Sequence, residues 1–496
     1  MTMNPSRRFL AGASASARAL STATKATTEA GLPEDRLYRR LSALGNKKGT
    51  VASTINEYIR EGRPVGKFQL DACLRELRKY KRYGHALEIM EWMESRKYSL
   101  GNKDHAVRLD LIAKAKGITA AEIFFNGLPP SAQVHCTYGA LLNCYCEQKM
   151  TEKALEVFST MQSGKMIIRP LPYNNLMAMY IRLGQPEKAV SLGEELKNNN
   201  IQPDTFTYNL FMNAYASMDD FESVERVFDE MMQKNEKQCN WTSYSNLAIL
   251  YTKGGYREKA ELALRNLEKV MGPNDREAYH FLISLYAGIH DLHNVHRVWK
   301  DLKSKMNMVT NKSYLMMLHA LRNLKDVSGV KKCYEEWESN CPTFDVRLSN
   351  TAIGALLDHD MIEEAETVLG NAIGKTEGPF FRTWEMFIVY FLNKNQVKKS
   401  LEIMKTVILK VREKEWCPKQ ETVEKFVELL EQENDVSGIE DLYECMKKIN
   451  CVDHKLYVSL LKICVAAGKK LPGIHQRIEG DGVQISSELK HLLESV

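Results

Sequence analysis

Four basic side chains, Arg75, Arg78, Lys79 and Arg82, recur at i, i+3, i+4 and i+7, with Tyr80 and Tyr83 beside them. On one helix they form a single positive face. Such a stripe can follow a phosphate backbone, or it can be a solvated outer surface. His290, His293 and His296 stand three apart, but that spacing fans around a helix, so they read as surface and groove histidines rather than as a metal set. Eleven cysteines are scattered without a CxxC pair. Cys144 and Cys146 point apart at i, i+2, and the set reads as reduced core thiols. There is no HxE followed by CxxC, no GxxxxGK[ST] and no HExxH. No catalytic residue, metal, cofactor or small-molecule substrate is therefore expected.

Composition narrows the classes. The chain has 496 residues, 44% hydrophobic and 26% charged, as in a folded chain of several domains or an array. Its longest apolar run, Met386 to Leu392, is far short of the ~20 residues a membrane helix needs. The first 28 residues hold Arg7, Arg8, Arg18 and Lys25, many Ser, Ala and Thr, and no acid before Glu29. That is the composition of an organellar transit peptide. The formal charge is +5 and this segment carries four of the positive charges, so the remainder is nearly neutral. A contact with nucleic acid then depends on local patches, not on a global field.

Self-similarity supplies the elements. Tyr138, Tyr173, Tyr208, Tyr244, Tyr279, Tyr314, Ser349 and Trp384 mark a period of 35 residues that slips once, by one residue. Three and seven residues after each mark stand further apolar positions, Leu141 and Tyr145 in the first unit and Leu176 and Tyr180 in the next, which share a helical face with the mark. Sixteen after come Ala154, Ala189, Val224, Ala260, Val295, Val330, Ala365 and Ser400, narrow enough for two helices to approach. Glycines at 184, 254 and 255 break first helices from second, and Pro170, Pro203 and Pro273 break unit from unit. Such hairpins bury their stripe only by stacking. The expected fold is all-α, a right-handed superhelical solenoid of helix–turn–helix repeats.

The expected organisation is a mitochondrial transit peptide at 1–30, an N-terminal helical extension at 31–67, degenerate hairpins at 68–134, an eight-unit array at 135–419, capping hairpins at 420–480 and a tail at 481–496.

The central units, such as Pro172-Tyr173-Asn174-Asn175-Leu176 with Tyr180, Gly184, Ala189, Leu196 and Pro203-Asp204, resemble those of pentatricopeptide-repeat (PPR) proteins of the P class, whose repeats are all of the 35-residue type. Leu37 to Leu41, Glu61 to Pro64 and Arg75 to Tyr83 resemble a plant mitochondrial subgroup. The resemblance implies single-stranded RNA as partner, a mitochondrial transcript or ribosomal RNA, and also mitochondrial ribosomal proteins, in the matrix. It further implies that each base is read by the residue after the mark and the last residue of the unit. Carried over, these are Asn174 with Asp204, Asn209 with Asn240 and Ser245 with Asp275, favouring 5′-U-pyrimidine-G. Leu171, Phe206 and Thr242, two before the marks, take the stacking places. Arg75, Arg78, Lys79 and Arg82 take phosphates. The pairs Gly139 with Arg169, His280 with Thr310, Leu315 with Asp345 and Asn350 with Phe380 depart from the family's code, and Glu385 meets Lys419 only if the last unit is longer. Three legible bases do not define a transcript, so the expected function is an RNA-binding adaptor with limited readout, the alternative being a protein scaffold, including a subunit of the mitochondrial ribosome.

Overall fold

The computed structural model describes residues 37–495 apart from 46–48, 235–238, 341–342, 377, 379, 410–415, 470 and 472. The expected transit peptide lies outside the described residues. Among those described, every regular element is a helix. The chain is an all-α helical-repeat solenoid, in two compact units that divide between Gly272 and Pro273.

In the first unit the repeats are the hairpins His135–Glu147 with Thr151–Ser163, Leu171–Arg182 with Pro186–Asn198, Thr205–Ser217 with Phe221–Lys234, and Trp241–Lys253 with Arg257–Val270. In the second they are Arg276–Gly288 with Leu292–Lys305, Asn311–Asn323 with Val327–Asn340, Val346–Leu357 with Ile362–Lys375, and Phe381–Asn393 with Val397–Ile408.

Each turn is built alike. Eleven residues after every mark the backbone enters the left-handed region: Lys149, Gly184, Asp219, Gly255, His290, Lys325, Asp360 and Asn395 all have φ between 58° and 80° except Asn395 at 56°. The next amide then reaches back to close the helix, as Gln185 N–H does to the Tyr180 carbonyl at 2.9 Å and Gln396 N–H to Phe391 at 2.8 Å. His290 is thereby a turn residue, and His296 Nε2 lies 3.3 Å from Asp326 Oδ2.

Packing follows the period. All eight narrow residues sixteen after the marks, Ala154 to Ser400, are 0–1% exposed. Phe158 meets Tyr173 edge-on at 4.9 Å, Phe228 meets Tyr244 at 5.3 Å and Trp299 meets Tyr314 at 5.2 Å, so the second helix of one repeat holds the mark of the next. Mark hydroxyls donate to carboxylates 22 residues on: Tyr173 to Glu195 at 2.9 Å, Tyr208 to Glu230 at 3.3 Å and Tyr314 to Glu336 at 3.0 Å.

The segment expected as a tail contains a helix, Ser487–Ser495, with Leu489 fully buried. It is pinned through Asp481, whose Oδ2 accepts from Tyr457 at 2.6 Å and Tyr443 at 2.7 Å.

Candidate nucleic-acid interface

The residues assigned to base reading sit where one repeat meets the next, and their first task is local. Asp204, Asn240, Asp275, Thr310 and Asp345 each precede the first helix of a repeat, and each side chain accepts from a free amide there: Thr207 at 2.8 Å, Thr242 at 2.9 Å, Ala278 at 3.3 Å, Ser313 at 3.3 Å and Arg347 at 3.1 Å. A cap of this kind is worth about 1 kcal/mol. Its chemistry alone therefore accounts for Asp, Asn or Thr in these places, whether or not a base is bound.

Asn174 and Asp204 are brought together. Asn174, only 1% exposed, donates from Nδ2 to Asp204 Oδ1 at 3.2 Å. That same oxygen takes the Thr207 amide and hydroxyl, each at 2.8 Å. Asn174 Oδ1 is buried with no hydrogen-bond partner, and among the described residues Asp204 Oδ2 has none either. Asn209 and Asn240 are not joined. The Asn209 side chain accepts from Asn246 Nδ2 at 3.5 Å, while Asn240 turns to its own helix and binds the amide and hydroxyl of Thr242. Ser245 is buried and donates to the Trp241 carbonyl at 2.9 Å. Asp275 caps its helix as above. Of the stacking candidates, Leu171 is 58% exposed, and Phe206 and Thr242 are half-buried.

Repeats that depart from the code fill the same junction from within. His280 is buried and its Nε2 pairs with Ser313 Oγ at 2.9 Å, which in turn meets Thr310 Oγ1 at 3.1 Å. Burial pushes the imidazole down to about 4, so it is neutral. Thr383 donates to the Asn350 side chain. Glu385 accepts from the Lys419 amide at 3.2 Å, with Lys419 Nζ at 3.6 Å. The longer final repeat therefore does bring Glu385 and Lys419 together. Flanking cations are engaged by neighbours: Lys312 pairs with Glu277 at 2.6 Å and Arg347 with Asp345 at 2.6 Å. Sequence spacing alone did not show which side chains pair: Lys312 and Glu277 hold equivalent places 35 residues apart, and Arg347 bonds the cap residue two before it.

The basic stripe is not one helical face. The helix Lys67–Lys79 ends before Arg82, Lys81 turns at φ +58°, and Arg82 caps the following helix. Its guanidinium donates to the Gly45 carbonyl. Arg78 pairs with Asp110 at 3.1 Å, a carboxylate also bound by Lys114 at 2.7 Å. Arg75 and Lys79 are exposed, with the Lys79 ammonium 5.8 Å from the ring of exposed Tyr80. The i, i+7 spacing misled because it presumes a helix running through position 81.

Comparison with known proteins places this arrangement. Models described as the PPR repeat family and the PPR repeat match residues 172–217 and residues 136–166 and 206–236. Two Arabidopsis thaliana pentatricopeptide repeat-containing proteins, both named mitochondrial, are 41% and 40% identical. They match over 93% of this chain in each case and over 86% and 92% of their own lengths. The Arabidopsis large ribosomal subunit protein mL101 (rPPR4) is 34% identical over 93% of this chain and 95% of its own. With such identity along nearly its whole length, the chain belongs to the pentatricopeptide repeat family.

Proposed function

We propose that this protein is a mitochondrial RNA-binding helical-repeat adaptor acting in organellar RNA metabolism or translation, with base readout confined to its central repeats. The observation that carries this is the junction of Asn174 and Asp204. There an amide oxygen and a carboxylate oxygen stand without partners, whereas at the matching junctions Ser313 engages His280 Nε2, leaving its buried Nδ1 without a hydrogen bond, and the Lys419 amide engages Glu385. A uracil edge can give its ring N–H to the unpartnered Asp204 oxygen and take the second N–H of the Asn174 amide on a carbonyl. Asn209 with Asn240 and Ser245 with Asp275 read the next two bases in this proposal, and Leu171, Phe206 and Thr242 flank them. The mitochondrial names of the relatives support the compartment. Residues 1–30 serve as the transit peptide. A fluorescent fusion of residues 1–40 should enter mitochondria, and charge reversal of Arg7, Arg8 and Arg18 should block it; a cytosolic signal from the native segment overturns the assignment. No catalytic step is assigned.

The test is binding of short single strands that differ at one base from 5′-U-C-G, at fixed salt. Equal affinity for every base overturns readout. The second reading, a scaffold subunit of the mitochondrial ribosome, is favoured by the kinship with mL101 and by the internal bonds that engage His280 and Glu385 in the second unit. Sedimentation of the native protein with ribosomal subunits after ribonuclease separates the two.

A further inference from the structure

One repeat breaks the pattern of its own core. Its mark is Ser349 where the other seven are aromatic, and three residues on stands Ala352 where the others carry Leu, Met or Phe. Tyr334 leans toward the place of the missing mark ring, its hydroxyl 3.0 Å from Ser349 Oγ, but the space beside Ala352 stays open. A slot of about 220 Å³ opens between the successive second helices Val327–Asn340 and Ile362–Lys375. Val330, Tyr334, Ala352, Leu356 and Val368 form its apolar floor and walls. The rim is acidic: Glu335, Glu338 and Glu364 against Lys331. Glu338 is matched by Lys375 at 2.7 Å and Glu364 by Lys331, while Glu335 has no ion-pair partner among the described residues.

The slot is smaller than the ~300–1,000 Å³ of small-molecule sites, and fits a single side chain. With Glu338 and Glu364 paired, the rim keeps one unmatched carboxylate, Glu335, which favours a cation over phosphate there. We propose that it is a protein-docking site that takes one branched apolar side chain from a basic segment of a partner, the flanking Arg or Lys meeting Glu335 and its neighbours. Anchor-in-pocket contacts ringed by charge are how small surfaces gain specificity. The inference stands independently of the RNA reading.

The probe is a fluorescein-labelled peptide, Gly-Ser-Arg-Leu-Arg-Arg-Ser-Gly, measured by anisotropy on the full chain beside counterparts with Ala for Leu or Glu for each Arg. The Leu peptide should bind at least about fivefold tighter than either, since the anchor loses most of its apolar area on burial. Ala352→Leu, which restores the residue type of the other repeats and fills the slot, should abolish that preference. Glu335→Lys, at an exposed position that leaves the core untouched, should weaken the Leu peptide by a similar factor even if the filled variant fails to fold. Neither variant should change RNA affinity. Equal binding of all three peptides, a Leu preference that survives both substitutions, or competition by an RNA oligonucleotide each overturns the proposal.

Discussion

The ring of Phe211 occupies the place that a side chain at residue 193 would need: a Cβ on Gly193 would stand 2.2 Å from Phe211 Cζ. Across the array the place twenty after the mark is apolar, and Gly193 is its one exception. The exception is matched by Phe211, three after the next mark, where most repeats have Leu or a smaller residue. Gly193→Ala gains up to about 1 kcal/mol of helix propensity, but forces a fully buried ring to move, which costs about 1–3 kcal/mol. Packing wins, and the variant should melt lower. Phe211→Leu alone should also destabilise, yet combined with Gly193→Ala it should cost less than the sum. An additive pair in a double-mutant cycle contradicts the contact.

Turn residues give a second test. Lys325 holds the left-handed conformation, φ +58°, that Gly184 and Gly255 hold in sister repeats. Non-glycine residues pay about 1 kcal/mol or more there. Lys325→Gly should therefore stabilise by about 0.5–1 kcal/mol, whereas Gly184→Lys should destabilise comparably, both read by thermal unfolding. A loss of stability in Lys325→Gly would show that the flexibility gained by the unfolded chain outweighs relief of strain.

The period, the two helices of each repeat and their narrow contact residues were legible because one face of every helix must be apolar at fixed spacing, and Ala154 to Ser400 advertise it. The turns were legible only at Gly184 and Gly255. Lys, Asp, His and Asn in the same conformation look like ordinary surface residues. The polar junctions were half visible: Asn174 and Asp204 stood out as types, but the bonds from His280 to Ser313 and from Lys312 to Glu277 run between neighbouring repeats, and the period shows which positions correspond without showing which side chains turn toward each other. Arg78 looked free because its partner Asp110 lies on another hairpin, and nothing near Asp481 announced that two buried tyrosines converge on it.

That convergence has a pH signature. Burial acts to raise the Asp481 carboxyl, but hydrogen bonds from Tyr457, Tyr443 and Lys447 outweigh it and hold the group below its usual range. A depressed carboxylate contributes stability that is present above the unfolded value, near 3.8, and is lost as pH falls through the folded one. Asp481→Asn should cost about 1.5–3 kcal/mol near neutrality, as for hydrogen bonds to a charged group. The gap between wild type and variant should narrow from pH 6 to pH 3. A gap independent of pH would mean that the ionised carboxylate is not what pins the terminal helices.

Charge at the N-terminal hairpin divides into two kinds. Arg75 and Lys79 are exposed and should act on RNA through phosphates alone, so replacing each by Ala should weaken all strands alike and lower the salt slope by about 0.7 per lost contact. Arg78 is tied to Asp110, so Arg78→Ala should lower the melting temperature while moving the salt slope little. Equal slopes for all three variants would return Arg78 to the phosphate-binding set.

Asn174→Ala separates reading a base from holding a repeat. Two structural effects oppose each other. The substitution removes the Nδ2 bond to Asp204, a charged acceptor worth about 1.5–3 kcal/mol. It also removes a buried carbonyl oxygen that has no partner, whose burial costs about 1–3 kcal/mol. Asp204 keeps its cap bond to Thr207 in either case. The net change in stability should therefore stay within about 1 kcal/mol, while affinity for 5′-U-C-G should fall roughly 5- to 150-fold, the equivalent of one good side-chain–base pair. The loss should be confined to the first base: wild type should prefer U over A there, and the variant should not, with preference at the other two bases intact. Binding of the two strands and thermal unfolding of the same samples decide it. A variant that melts much lower and binds every strand more weakly by one factor would make Asn174 a structural residue of the junction and overturn its role in reading uracil.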